Sequence, residues 1–259
     1  MKISEITQAI EAYAPLELQE DFDNAGIQVG DEDATVSGVL LCTDVREDIV
    51  DEAMERGCNL IISHHPLIFH ALKKIAGRSY IERIVAKAIK HDITIYCAHT
   101  NMDITLGGVN HKMAAKLGLT AVEPLDVDGS HDHLGVVGEL PQAMPAMDFL
   151  RRLKDTFAVA AVRYSGLTGG MVNRVALCGG SGSFLIPLAV ERGAQVMVTA
   201  DVKYHEFMGR EDRIIIADIG HYESEQFTKE IFYDIICKKN PNFAVCFASN
   251  EKNQIKYLT

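Results

Sequence analysis

Five side chains of this sequence have the types and spacing of a metal site: His64, His65, Asp103, His221 and Glu225. His64 and His65 are consecutive in Ser63-His64-His65-Pro66. Neighbours on a regular strand point to opposite faces, so two adjacent imidazoles serve one site only where the strand ends, and Pro66 supplies that ending. His99 opens a His-x-x-x-Asp segment that closes at Asp103, and His221 opens a His-x-x-x-Glu segment that closes at Glu225. If each segment enters a helix, its first and fifth residues share one face. Three imidazoles and two carboxylates exceed the needs of one ion. They suit two divalent ions a few ångströms apart, with positions left for substrate. Glu225 has the longer reach and is the better bridge. A donor set of nitrogen and oxygen without thiolate is compatible with zinc, manganese, iron or magnesium.

Other residues have weaker claims. His99 matches His221 by spacing, and either ligates or orients a ligand. Lys203 suits an anionic substrate, and His205, like His99, suits proton transfer as a general acid or base. The segment from Asp201 to Glu206 reads as pocket lining, and equally well as an ordinary polar loop. His70, His91, His111, His131 and His133 belong to no constellation. Cys178-Gly-Gly-Ser-Gly-Ser183 has the glycines of a phosphate cradle but neither the lysine of a P-loop nor a dinucleotide fingerprint. A tight strand-to-helix turn explains it without a ligand.

The elements that must position these groups are written twice. At an offset of 136, Val39/Val175, Leu41/Leu177, Cys42/Cys178, Ala53/Ala189, Glu55/Glu191, Arg56/Arg192 and Gly57/Gly193 are identical pairs. Periodicity predicts helices over 3–13, 46–56, 79–90, 108–117 and 144–155, with another after His221. Strands are expected at 39–42, 60–62, 93–98, 134–137, 158–162, 243–247 and 254–258. Continuous apolar strands alternating with helices indicate an α/β fold with a mostly parallel sheet. The duplication implies two similar α/β/α layered domains with the metal site between them. The polar stretch 121–133 reads as a linker, giving a discontinuous first domain, 1–125 plus 229–259, and a second, 126–228.

A chain of 259 residues with 47% apolar and 24% charged side chains is globular and long enough for two domains. Its net charge of −11, without a basic stripe, argues against duplex nucleic acid as a partner. No apolar run reaches membrane-spanning length, and the amphipathic, acidic start is unlike a secretory signal, so a cytoplasmic location without membrane partners is expected. Six cysteines, none in a Cys-x-x-Cys pair, fall mostly in apolar runs and read as reduced, buried side chains.

FDNAGIQVG (22–30), SHHP (63–66), HTNMD (99–103), GGSGSF (179–184), TADVKYHE (199–206) and GHYESE (220–225) stand in an order that resembles the NIF-three-like proteins, often called GTP cyclohydrolase 1 type 2 homologues. The resemblance spans almost the whole chain. It implies two similar α/β domains, a dinuclear metal centre ligated at His64, His65, Asp103, His221 and Glu225, and assembly as a toroidal homohexamer. Phe22 stands where the family usually has Trp, which keeps an aromatic wall, and the short linker leaves no room for the domain that longer members insert. The implied activity is metal-dependent hydrolysis of a small anionic or nucleotide-like substrate, with GTP ring opening as a special case. The alternative is a metal-handling or protein-interaction module without turnover.

Overall fold

Four-residue apolar strands, too short to bury much alone, are stacked here into two sheets of a mixed α/β fold. The computed structural model describes residues 1–126, 134–166, 170–209, 212–240 and 243–258. His131, His133 and most of the expected linker lie outside the described residues. Two compact units are resolved: Met1–Thr105 with Thr228–Lys252, and Leu106–Phe227 with Asn253–Thr259.

The first unit contains α1 (Ile3–Glu11), β1 (Gly26–Val29), β2 (Val39–Cys42), α2 (Glu47–Glu55), β3 (Leu60–Ser63), α3 (Tyr80–Lys90), β4 (Thr94–Cys97), α4 (Thr100–Ile104), α9 (Thr228–Lys239) and β11 (Val245–Phe247). Its sheet runs β1-β4-β3-β2-β11, parallel except for β1 at the edge. Leu40, Cys42, Ile61 and Ile95 face one way, into a cluster with Ile49 and Val50 of α2 and Ile84 and Val85 of α3. The alternate residues Val39, Leu41, Leu60, Ile62 and Tyr96 are equally buried on the other face. Burial on both faces is why these strands read as unbroken apolar runs rather than as alternating ones. The carboxyl ends of three adjacent parallel strands, β2, β3 and β4, emerge side by side, carrying Asp44, His64 and His65, and His99.

The second unit contains α5 (Val109–Leu117), β5 (Thr120–Pro124), β6 (Val136–Pro145), α6 (Ala146–Thr156), β7 (Arg163–Tyr164), β8 (Met171–Leu177), α7 (Ile186–Glu191), β9 (Val196–Thr199), β10 (Ile215–Asp218) and α8 (His221–Glu225). Sheet order is β5-β6-β8-β9-β10-β7. Only β8, β9 and β10 are mutually parallel; β5, β6 and β7 join antiparallel, so this sheet is more mixed than expected. Val175, Val196 and Ile215 pack against α5 and α6, while Ala176, Met197 and Ile216 pack against α7. Successive residues of each strand thus serve opposite cores.

Several expectations change. The unit boundary falls at 105/106 rather than 125/126, because β5 pairs with β6 and α5 packs on the second sheet. Residues 253–258 go with the second unit, where Asn253 Nδ2 donates to Glu223 Oε1 at 2.8 Å. No strand forms at 158–162; α6 ends in a turn in which Ala158 takes φ 53°, and the paired residues are Arg163 and Tyr164. Residues 254–258 form no strand either, while Val245–Phe247 does. Helix α6 starts at Ala146 because Met144 and Pro145 still pair with Val172 and Met171.

Candidate metal centre

In the first unit, the β2–β3 ladder continues past the strand ends. His64 N–H donates to Cys42 O at 3.3 Å and His65 N–H to Thr43 O at 3.0 Å. Ser63 Oγ donates to His65 O at 2.8 Å and tightens the turn into Pro66. The two consecutive rings then lie 4.9 Å apart, centroid to centroid, as the bent strand end requires. His64 is fully buried, and its Nδ1 meets Ala98 O at 3.0 Å; His65 Nδ1 meets Asp44 Oδ1 at 2.9 Å.

His99 is the N-cap of α4. Its Nδ1 lies 2.8 Å from Asp23 Oδ1, while Asp23 Oδ2 accepts from Thr100 N at 3.1 Å and Thr100 Oγ1 at 2.5 Å. Burial opposes the charge on Asp23, but hydrogen bonds from His99, Thr100 and Asn24 outweigh it and hold this carboxyl well below its ordinary range. One ring nitrogen from each of His64, His65 and His99 lies within 4.8 Å of the other two. Asp103 Oδ1 is 3.6 Å from His64 Nε2.

In the second unit, His221 is the first residue of α8, behind Gly220 in the left-handed region (φ 89°). One turn later Glu225 brings Oε2 to 3.0 Å from His221 Nε2, so the His-x-x-x-Glu spacing does put both on one face. His99 and Asp103 do not repeat this, because His99 caps its helix and pairs backward with Asp23. Asp201 Oδ2 holds His221 Nδ1 at 2.7 Å and accepts from Ser181 Oγ at 2.5 Å. Asp201 itself has φ 54°, a strained state for a non-glycine residue that clusters at functional sites. Burial disfavours charge on His221, yet its hydrogen bonds to Asp201 and Glu225 prevail and raise its pKa to about 11. This imidazole sits where a cation is strongly favoured.

The glycine-rich turn 179–182 is a wall for this site rather than a phosphate cradle. Its amides are committed: Gly179 N donates to Asn110 Oδ1, Gly180 N to Ser224 Oγ and Gly182 N to Thr199 Oγ1, all between 2.8 and 2.9 Å. A Cβ on Gly180 would stand 2.4 Å from Glu225 Oε1, so only glycine lets the carboxylate lie there. His205, on a short 3-10 turn, is exposed, with its ring edge-on to Tyr204 at 5.2 Å. Lys203 is exposed, and its N–H donates to Glu206 Oε2 at 2.6 Å.

The donor set passes a simple test. Two ligands, each about 2.1 Å from one tetrahedral ion, stand about 3.4 Å apart. His64 Nε2 to Asp103 Oδ1 (3.6 Å) and His221 Nε2 to Glu225 Oε2 (3.0 Å) bracket that value. In all four histidines Nδ1 faces a backbone carbonyl or a carboxylate, an arrangement that favours a proton on Nδ1 and makes Nε2 the nitrogen suited to a metal. Sequence reasoning missed Asp23 and Asp44, and took Asp201 for pocket lining. Asp44 follows a strand end, a signal that was legible but too common to use alone.

Comparison with known proteins agrees over the whole chain. The profile of the Duf34/NIF3 (NGG1p interacting factor 3) family matches residues 1–254. A protein of Clostridium perfringens named GTP cyclohydrolase 1 type 2 homolog is 35% identical over 229 residues, 87% of each chain. One of the same name from Clostridium acetobutylicum is 33% identical, covering 87% of this chain and 85% of its own. The crystal structure of a hypothetical protein of Staphylococcus aureus superposes with a TM-score of 0.90 at 28% identity, over 100% of this chain and 99% of the other. A Bacillus cereus protein related to NIF3 does so with a TM-score of 0.90 at 25% identity and the same coverage.

Proposed function

The chain belongs to the Duf34/NIF3 family, and from that premise we propose that it binds a pair of divalent ions through His64, His65, Asp103, His221 and Glu225 and hydrolyses a small anionic or nucleotide-like substrate. The observation that carries the reading is the shared orientation of the three proposed ligand imidazoles, each with Nδ1 engaged by a carbonyl or carboxylate, with Nε2 of His64 3.6 Å from Asp103 Oδ1 and Nε2 of His221 3.0 Å from Glu225 Oε2. The five proposed ligands of the two ions are drawn from both units, His64, His65 and Asp103 belonging to the first and His221 and Glu225 to the second. When bound, such a pair supplies Lewis-acid polarisation and makes water a better nucleophile at neutral pH.

The chain's own residues do the rest. Asp23, Asp44 and Asp201 hold imidazoles in register. Lys203 offers an ammonium to an anionic substrate, and His205 and His99 exchange protons with it. Ring opening of GTP is one hydrolysis of this class, and the name of the relatives supports including it among substrates. Self-association as a toroidal homohexamer is the expected assembly, to be checked by light scattering. Among the described residues no helix is long and apolar enough to cross a membrane.

Metal analysis of purified protein, followed by a phosphoester and nucleotide panel including GTP, tests the reading with Glu225→Ala beside the native chain. Loss of one or both ions in the variant is expected, together with loss of turnover. Unchanged stoichiometry would overturn the ligand assignment. Full metal content in the native chain with no turnover on any substrate would favour the metal-handling or interaction module instead.

A further inference from the structure

One buried ion pair of the first unit lies outside the donor set yet ends beside it. Glu251, whose side chain is 2% exposed, comes from the segment after β11, 208 positions from the strand end it meets. One of its carboxylate oxygens accepts from Thr43 N–H, just past β2, and the other pairs with Lys229 Nζ at the start of α9. Burying two charges to fasten a chain segment is costly, since an apolar pair of similar volume often stabilises as well or better. Ordinary fastening is already present here. Ser249 N and Asn250 N donate to Glu52 at 2.8 and 2.9 Å, and Arg46 donates to the carbonyls of Asn250 and Lys252.

What Glu251 touches gives the pair a purpose. Thr43 donates its N–H to Glu251 and accepts His65 N–H on its carbonyl at 3.0 Å. The next residue, Asp44, accepts from His65 Nδ1 at 2.9 Å. Residues 43 and 44 therefore hold His65 by backbone and by ring, and Glu251 holds Thr43, the residue between the end of β2 and Asp44. We propose that Glu251, braced by Lys229, is a positioning residue that sets the Asp44–His65 pair for metal ligation. The proposal rests on the metal-binding reading above.

The test separates the acceptor from the charge. Glu251→Gln with Lys229→Met removes both charges but leaves an oxygen for Thr43 N–H; Glu251→Leu with Lys229→Met removes the oxygen too. Neither leaves a lone buried charge. Nitrogen-15 shifts of the His65 ring in metal-free protein report its tautomer, and chelator competition reports metal affinity. The Gln pair should keep the proton on Nδ1 and native affinity. The Leu pair should show mixed tautomers and affinity lower by roughly 10–100-fold. Should the Leu pair fail to fold, Glu251→Asp alone draws the carboxylate back from Thr43 while keeping its charge, and should disturb the same shifts. A native His65 tautomer in the folded Leu pair, or in Glu251→Asp, overturns the proposal. His65→Ala is the separate control: native metal affinity there would sink the metal reading, while the tautomer shifts still judge Glu251 without any metal.

Discussion

His99 Nδ1 lies 2.8 Å from Oδ1 of Asp23, a carboxylate 76 positions earlier in the chain. The same Asp23 also takes the amide and hydroxyl of Thr100, so it fixes both the start of α4 and the ring of its N-cap residue. Asp23→Asn keeps the shape but removes the charge that favours Nδ1–H on His99. Turnover should fall by roughly 100-fold or more with the fold and metal content native, read by substrate assay, metal analysis and circular dichroism. Unchanged turnover would mean that His99 exchanges no proton in the reaction.

Gly180 and Gly193 make a matched pair, since both sit in the left-handed region, at φ 58° and 72°. At Gly193 an added Cβ meets nothing within 4 Å, whereas at Gly180 it meets Glu225 Oε1 at 2.4 Å. Gly193→Ala should therefore cost only backbone strain, about 1–2 kcal/mol, and leave metal content native. Gly180→Ala should cost that and more from overpacking, on the order of 3 kcal/mol in all, and should also lose metal by displacing Glu225. Denaturant melts and metal analysis of the two variants make the comparison.

Glu52 ties the segment 249–250 to α2. Burial raises its pKa, but hydrogen bonds from Ser249 N, Asn250 N and Ser249 Oγ, with the Arg56 charge, lower it below its ordinary 4.5. A depressed carboxyl contributes stability above the unfolded-state pKa and loses it as pH falls through the folded-state value. Glu52→Gln should therefore be less stable at neutral pH, by on the order of 2 kcal/mol. Its deficit should shrink as pH drops below about 4.5. A deficit that does not change with pH would show that packing, not charge, sets the contribution of Glu52.

Cys42, Cys97 and Cys178 are fully buried in the native chain. Burial pushes the thiols of Cys42 and Cys97 far up, which starves them of reactive thiolate. A thiol reagent at neutral pH should label partly exposed Cys237 or Cys246 first and reach these three only on unfolding. Rapid labelling of all six in folded protein would contradict the burial.

The amino-acid sequence by itself determined the local pieces. Apolar runs at 39–42, 60–62 and 93–98 became β2, β3 and β4, because strands buried on both faces need no polar partner and show as continuous hydrophobicity. Glycines at 57 and 118 closed their helices, both at positive φ where other residues are strained. The pairing of His221 with Glu225 was legible too, since four positions of one helix are neighbours by geometry alone. The tertiary structure decided everything that spans the chain. Asp23 on His99, Asp44 on His65 and Glu251 on Thr43 are 76, 21 and 208 positions apart, and each meets its partner only through the order β1-β4-β3-β2-β11. The same dependence misplaced the ends: 158–162 and 254–258 have strand-like composition, but a strand exists only where a neighbour offers its unpaired N–H and C=O groups. Side-chain period is a property of a segment, whereas a hydrogen-bond partner is a property of the assembled sheet. That is why candidate ligands could be named from spacing, and the acids beside them could not.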